Sequence, residues 1–240
     1  MGLNKGLETP PGFQPALGPK GRTVYNPNDY VRKVHAELSK SIGKVRLPDI
    51  HSSVGKHLKN RFIYKVDLAE AFNTVRQIDI ELMLDIGFEH FDGDGRYFFH
   101  AKNGGLIQGA PCSTSLFHLY CKEVIDGPLK AYASRHNMVF TRYCDDMLFS
   151  SRSRITRKIR RPICRIIRRE GLKINEGKTQ VVDTAYNSVQ TLGMVIQNGK
   201  VSLTEDFLER FAKTEEGSRS YVGQVAWRNA VLALNQTRRV

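Results

Sequence analysis

Two adjacent aspartates, Asp145 and Asp146, follow Tyr143 and Cys144 between two short apolar runs, residues 138–142 and 147–150. The runs read as strands, and a tight turn between them presents both carboxylates at the tip of a hairpin. Folding alone does not favour this, because each carboxylate raises the cost of ionising the other. A divalent cation removes that cost, since hard cations take carboxylate oxygens as ligands. The plain alternative is an exposed acidic turn, where Asp is common. Two upstream segments bear on the choice. In residues 62–72, a buried strand over 62–66 delivers Asp67 at its carboxyl end and a helix follows. Ligand sites in α/β sheets gather at that end of the strands, so Asp67 is placed to be a third carboxylate, unless it is only a helix N-cap. The second segment is Gln108-Gly109-Ala110-Pro111-Cys112-Ser113-Thr114-Ser115. Gly109 lets another backbone approach closely, and Pro111 is pre-set for the first turn of a helix. The polar start of that helix lines a nucleotide site or is an ordinary loop-to-helix junction.

The elements that must hold these residues are legible from periodicity. Leu116, Phe117, Leu119, Tyr120, Val124 and Ile125 recur at helical spacing and give one buried stripe. Tyr30, Val31, Val34, Leu38 and Ile42 predict a helix over 27–42. A helix around 79–86 should stop at Gly87 as its C-cap, and a turn over 91–96 should lead into a short strand at 97–99. Residues 1–21, rich in Gly and Pro, read as an irregular arm. Residues 194–197 and 200–203 flank Asn198-Gly199 and predict a tight hairpin. Ile155, Ile159, Ile163, Ile166 and Ile167 predict a helix over 152–169, interrupted or kinked at Pro162. It carries nine Lys or Arg residues, which make either a nucleic-acid track or a solvated outer face. Strand, helix, hairpin, helix and strand in that order suit a split βαβ sheet, hence an α/β (α+β) fold.

A formal net charge of +13 over 240 residues points to a polyanionic partner. No apolar run has the length of a spanning helix and no charged-then-apolar leader opens the sequence, so nucleic acid rather than a membrane is the expected polyanion. Cysteines at 112, 121, 144 and 164 form no Cys-x-x-Cys pair; reduced thiols in the cytoplasm are expected, not a zinc site or a disulfide framework.

Taken together, the Asp67 strand, the Gln-Gly-x-Pro-x-Ser segment and Tyr-x-Asp-Asp resemble motifs A, B and C of the reverse transcriptase family, above all the bacterial retron-type and group II intron-like enzymes. Residues 171–179 resemble motif D, residues 191–203 motif E, and residues 22–27 the fingers segment in which an arginine precedes a strand and a proline. The similarity runs from about residue 20 to 203. It implies a right-hand polymerase: N-terminal arm and fingers over 1–61, a palm over 62–203 with a fingers return around 76–110, and the start of a short helical thumb over 204–240. The residues after Leu203 are fewer than a family thumb usually has, so the resemblance implies a truncated thumb completed by a protein subunit or by RNA.

The implied activity is RNA-directed DNA synthesis, adding dNTPs to the 3′-hydroxyl of a DNA or RNA primer on an RNA template. By resemblance Asp67, Asp145 and Asp146 hold two Mg²⁺ ions, with Mn²⁺ as a substitute, and the backbone carbonyl of Leu68 reaches the metal-bound triphosphate. Two such ions, about 3.5–4 Å apart, serve the attacking and leaving oxygens of an in-line displacement. Phe72 stands where the family places the aromatic gate that rejects a 2′-hydroxyl, although a lone Phe at such a junction is ordinarily core. Arg22 and Lys20 would bind the triphosphate, Gln108 and Gly109 would shape the nucleotide pocket, and Lys178 would protonate the leaving pyrophosphate. A dedicated structured RNA and a retron-like or phage-defence role follow by analogy. Two other readings remain: untemplated or protein-primed synthesis on the same site, and a binding module that has kept the fold and lost catalysis. The intact carboxylates and Gln-Gly-x-Pro-x-Ser segment weigh against the last.

Overall fold

In the computed structural model, which describes residues 8–18, 21, 23–91, 95–101 and 104–236, the chain opens with an antiparallel pair, β1 (Phe13–Leu17) and β2 (Thr23–Pro27). Part of the expected irregular arm is therefore a strand. Its partner supplies the backbone hydrogen bonds, and Phe13 goes into a core with Tyr25, Val31 and Ile107, a long-range stabilisation that local Gly and Pro content conceals. Helix α1 (Asp29–Ser41) follows, capped by Asn28, whose side chain accepts the Val31 N–H, and buries Val31, Val34 and Leu38 on one stripe. After α2 (Ile50–Gly55) comes β3 (Phe62–Ala69), then two short helices, α3 (Ala71–Thr74) and α4 (Gln77–Leu84).

Three local expectations are corrected next. Helix α4 ends at Asp85, in the left-handed region at φ 53°, and not at Gly87; Asp tolerates that conformation, and its N–H bonds the Glu81 carbonyl. The strand expected at 97–99 is only an isolated bridge from Phe99 to Leu106, because the amides of Phe98 and Phe99 fold back onto the Gly95 carbonyl. Pro111 lies outside α5 (Ser113–Cys121), which takes Cys112 as its N-cap. A π-helical turn (Lys122–Asp126) joins α5 to α6 (Gly127–Arg135).

The motif C hairpin is β4 (Val139–Tyr143) and β5 (Asp146–Ser151). Helix α7 (Arg157–Arg169) starts later than expected and runs through Pro162 without a break, losing the one bond that Pro cannot donate. Short strands complete the fold: β6 (Lys173–Ile174), β7 (Gln180–Asp183), β8 (Val189–Thr191), β9 (Met194–Gln197) and β10 (Lys200–Leu203). Helices α8 (Glu205–Ala212) and α9 (Arg219–Ala233) follow, capped by Thr204 and Ser218.

Two compact units divide the chain. One gathers residues 1–47, 68–128 and 167–173; the other gathers 48–67, 129–166 and 174–240. In the second unit β3 is central: β5 pairs along one edge, Asp67 opposite Asp146, and β7 along the other, Phe62 opposite Asp183. A separate three-stranded sheet runs β10-β9-β8. Ile63 and Leu148 from the first sheet, Met194 and Ile196 from the second, and Val231 of α9 share one core. Among the described residues no helix is long and apolar enough to cross a membrane.

Candidate active site

Strand alternation decides which side chains meet at the end of β3. Residues 63, 65 and 67 point to one face and residue 64 to the other. Asp67 is thus an interior residue of an eight-residue strand, and the N-cap position of α3 belongs to Glu70. Because β5 pairs in register, Asp146 lies directly across from Asp67 on the same face, and Asp145 is the second of the two turn residues between Tyr143 and Asp146.

Asp67 is only 7% exposed. Its Oδ2 and the Oδ1 of Asp146 are both shut off from solvent and make no hydrogen bond. Each has an ammonium nearby: Lys178 Nζ is 3.5 Å from Asp67 Oδ2, and Lys65 Nζ is 3.1 Å from Asp146 Oδ1. Burying two carboxylates side by side demands positive charge, and the two lysines supply it. The backbone of Asp67 is pinned on both sides, its N–H donating to Thr179 Oγ1 (3.3 Å) and its carbonyl accepting from the Asn175 N–H (2.8 Å). The turn is fixed by Arg142, a buried arginine whose Nη1 donates to the Cys144 carbonyl at 3.1 Å. Burial, helped by the charge of Asp145, pushes the Cys144 thiol up to about 11, so it is no thiolate at neutral pH.

Lys65, Thr179 and Arg142 were not singled out from sequence. Period-two alternation from Asp67 would have found Lys65; the other two depend on long-range pairing.

The remaining expected residues lie in the other unit, except Lys20 and Arg22, which fall outside the described residues. Leu68 continues β3 and is buried. The half-buried Phe72 ring stacks on Phe117 with centroids 5.1 Å apart, and the Phe72 carbonyl accepts the Leu106 N–H. Gln108 accepts the Tyr25 N–H at its own carbonyl (2.8 Å). Gly109 has φ +96°, and a Cβ there would come within 2.7 Å of the Tyr25 carbonyl oxygen, so the close backbone approach is real and strand β2 makes it.

The donors around Asp67 fit a hard divalent cation. Among the described residues no three His, Cys, Asp or Glu side chains are gathered tightly enough to enclose an ion by themselves. A pair of carboxylates with unsatisfied oxygens is instead the arrangement Mg²⁺ uses when water and substrate phosphates complete its shell.

A central antiparallel strand and hairpin with carboxylates at one end, in this order of elements, is the palm architecture of right-hand polymerases. Solved structures agree at the level of fold. Foamy viral protease-reverse transcriptase in complex with RNA/DNA hybrid matches with a TM-score of 0.56 at 15% identity, over 88% of this chain and 26% of that one. Apo telomerase from Candida tropicalis matches with a TM-score of 0.57 at 13% identity, over 83% of this chain and 49% of that one. Residues 21–196 match the family model "Reverse transcriptase (RNA-dependent DNA polymerase)", and the chain belongs to that family, whose enzyme class is nucleotidyltransferase and whose members work with divalent metal ions. Retron Ec86 reverse transcriptase of Escherichia coli is 27% identical over 232 residues, covering 89% of this chain and 72% of that protein. Retron Mx65 reverse transcriptase of Myxococcus xanthus is 26% identical over 156 residues, covering 55% of this chain and only 35% of that protein.

Proposed function

We propose that the chain copies RNA into DNA, adding dNTPs to a primer 3′-hydroxyl, with a cognate structured RNA as template as the retron names of its relatives suggest. A retron-like or phage-defence role in the cell interior, where the four thiols stay reduced, belongs to the same reading. The observation that carries it is the in-register pairing of Asp67 with Asp146, each with a solvent-excluded oxygen that faces a lysine ammonium and makes no hydrogen bond. Nothing in the packing of β3 or β5 calls for that pair, and a phosphoryl-transfer site does.

In this reading Asp67, Asp145 and Asp146 hold two Mg²⁺ ions, which when bound lower the charge on the attacking and leaving oxygens. Lys178 stays beside the site to protonate pyrophosphate, and Lys65 balances Asp146 between turnovers. Leu68 offers its carbonyl, Phe72 excludes a 2′-hydroxyl, and Gln108 and Gly109 form the nucleotide pocket. The ring of Phe72 is held by Phe117, and a gate must be rigid in this way to discriminate. Arg22 and Lys20 grip the triphosphate. Arm and fingers would span 1–61, the palm 62–203 and the thumb the residues from 204, with the structured RNA or a protein subunit as a further partner.

The test is dNTP incorporation on a primed RNA template with Mg²⁺, wild type against Asp145→Asn. Wild-type product with a loss of about 10³-fold in the variant supports the reading, a change equivalent to about 4 kcal/mol in the barrier. Equal incorporation by both proteins, or none by wild type with any RNA primer-template, refutes it.

A further inference from the structure

From the hairpin to the end of α7 the chain is charged against its own stability. Residues 147–169 contain no Asp or Glu, while 152–169 contain eight Arg and one Lys. An ordinary solvated helix intersperses signs, because like charges at i,i+4 repel. Here Arg157, Arg161 and Arg165 follow one another at i,i+4 with no carboxylate between them. Arg157 and Lys158 also sit in the first turn, the end of a helix that disfavours positive charge. All but Arg160 of the nine basic side chains are exposed. Among the described residues Arg157, Arg161 and Arg165 have no ion-pair partner.

The opposite face of the helix fixes where this charge points. Ile163 is fully buried, the Tyr132 hydroxyl donates to the Ile159 carbonyl, and the Tyr64 hydroxyl lies 3.2 Å from Cys164 Sγ. Tyr64 is on the face of β3 opposite to Lys65 and Asp67. The helix therefore covers the reverse of the sheet that carries the carboxylates, and its basic stripe faces away from them. A strand threaded past Asp67 and Asp146 does not meet it.

We propose that Arg157, Arg161 and Arg165 form a second nucleic-acid surface that docks a double-stranded RNA element by its phosphates, away from the template strand in the active site. Successive guanidiniums four residues apart rise about 6 Å along the axis, a step comparable with the spacing of phosphates on one strand. Arginine in place of lysine suits paired donation to phosphate oxygens. The choice of RNA over DNA rests on the reading of the chain as RNA-directed, since a folded template RNA extends beyond its copied segment. The surface then holds the body of the RNA while its free end is copied.

The test compares wild type, R157Q/R161Q/R165Q and R157K/R161K/R165K. Binding of a labelled RNA hairpin without a free 3′ extension, and of a DNA hairpin of the same sequence, is measured over a range of KCl concentrations. The Gln variant should bind the RNA hairpin about tenfold or more weakly, with a salt slope shallower by about 2–3, as expected for three lost phosphate contacts. The Lys variant should recover most of the slope, and the DNA hairpin should bind more weakly than RNA to wild type. Extension of a short RNA primer-template should stay within twofold in both variants, whose thermal midpoints should not fall below wild type. Unchanged affinity and slope would make the stripe a solvated face. Equal or tighter DNA binding by wild type, or an equal loss on the short primer-template, also overturns the proposal. Because hairpin binding is read without catalysis, Asp145→Asn should bind like wild type, so a failed polymerase assay does not decide this one.

Discussion

Three hairpins of the second unit close with two-residue turns, and two of them solve the turn in opposite ways. Between β9 and β10 the turn is Asn198-Gly199, both at positive φ (44° and 66°), the pair that a type I′ turn prefers. Between β4 and β5 it is Cys144-Asp145, where only Cys144 is at positive φ (50°), a position a II′ turn normally gives to Gly. One turn has the residues its backbone wants. The other has a side chain in a conformation costing about 1–2 kcal/mol and places an aspartate directly before a second one, Asp146. Strain alone does not set the β4–β5 turn apart, since Leu192 in the β8–β9 turn also stands at positive φ (49°); what differs is that the β4–β5 turn puts its strained residue beside two adjacent aspartates.

Exchanging the turns breaks the comparison most sharply. A C144N/D145G double variant should keep the hairpin, with a thermal midpoint no lower than wild type, and lose about 10³-fold in dNTP incorporation on primed RNA. Substantial activity in that variant would detach Asp145 from catalysis and reduce the acidic turn to ornament on the sheet.

The second effect concerns what holds the β4–β5 hairpin. His57 is fully buried with Nδ1 2.7 Å from Ser150 Oγ and Nε2 2.7 Å from Thr141 Oγ1, one residue on each strand. Burial pushes it down from 6.5 to about 3, with the charge of Lys56 adding to the shift. It folds neutral, whereas the unfolded chain protonates it below about 6.5. Stability is therefore full above that pH and falls as the solution is acidified towards 3, by up to about 1.4 kcal/mol per pH unit. His35 in the other unit, pushed down to about 4 by burial against its bond to Tyr97, acts in the same direction. Urea unfolding at pH 7.5, 6 and 5 should show the decline, and His57→Gln should make it shallower, leaving the part due to His35. A flat profile in wild type would mean that the His57 cavity admits a charged ring.

Third, Asn198→Ala should cost about 1 kcal/mol, because Ala lacks the local hydrogen bonding that lets Asn sit at positive φ. For a chain of this size that lowers the midpoint by about 2–4 °C, with incorporation unchanged. A matching loss of activity would tie the β9–β10 hairpin to the chemistry.

The same two turns measure what was legible in sequence. Asn198-Gly199 was read correctly to the residue because the signal is local. That Asp67 belongs to the strand and faces the acidic hairpin was also legible, though only with the three motifs taken together, since each alone allowed an N-cap or a plain acidic turn. Lys65, Thr179 and Arg142 were not, because their partners lie across strands and a strand register cannot be read from one strand. The strand at 13–17 was hidden for the same reason, and the C-cap at Asp85 because Gly87 offered a stronger local signal two residues too late. Helix α7 was found by its isoleucine stripe, yet the direction of its charge needed the sheet beneath it.

The smallest effect isolates the strain itself. Cys144→Gly removes the left-handed penalty of about 1–2 kcal/mol but adds unfolded-chain entropy of about 0.4–1 kcal/mol, so the net gain should be about 0.8 kcal/mol. The Arg142 bond to the residue 144 carbonyl survives, since it uses only backbone. Asp145 then keeps its anchor but loses the stiffness that a side chain imposes on the turn, and incorporation should fall by less than about tenfold. A gain in stability with full activity would mean that Arg142 alone positions the carboxylate. A large loss of activity with the same gain would mean that the strained cysteine is itself the device that aims Asp145.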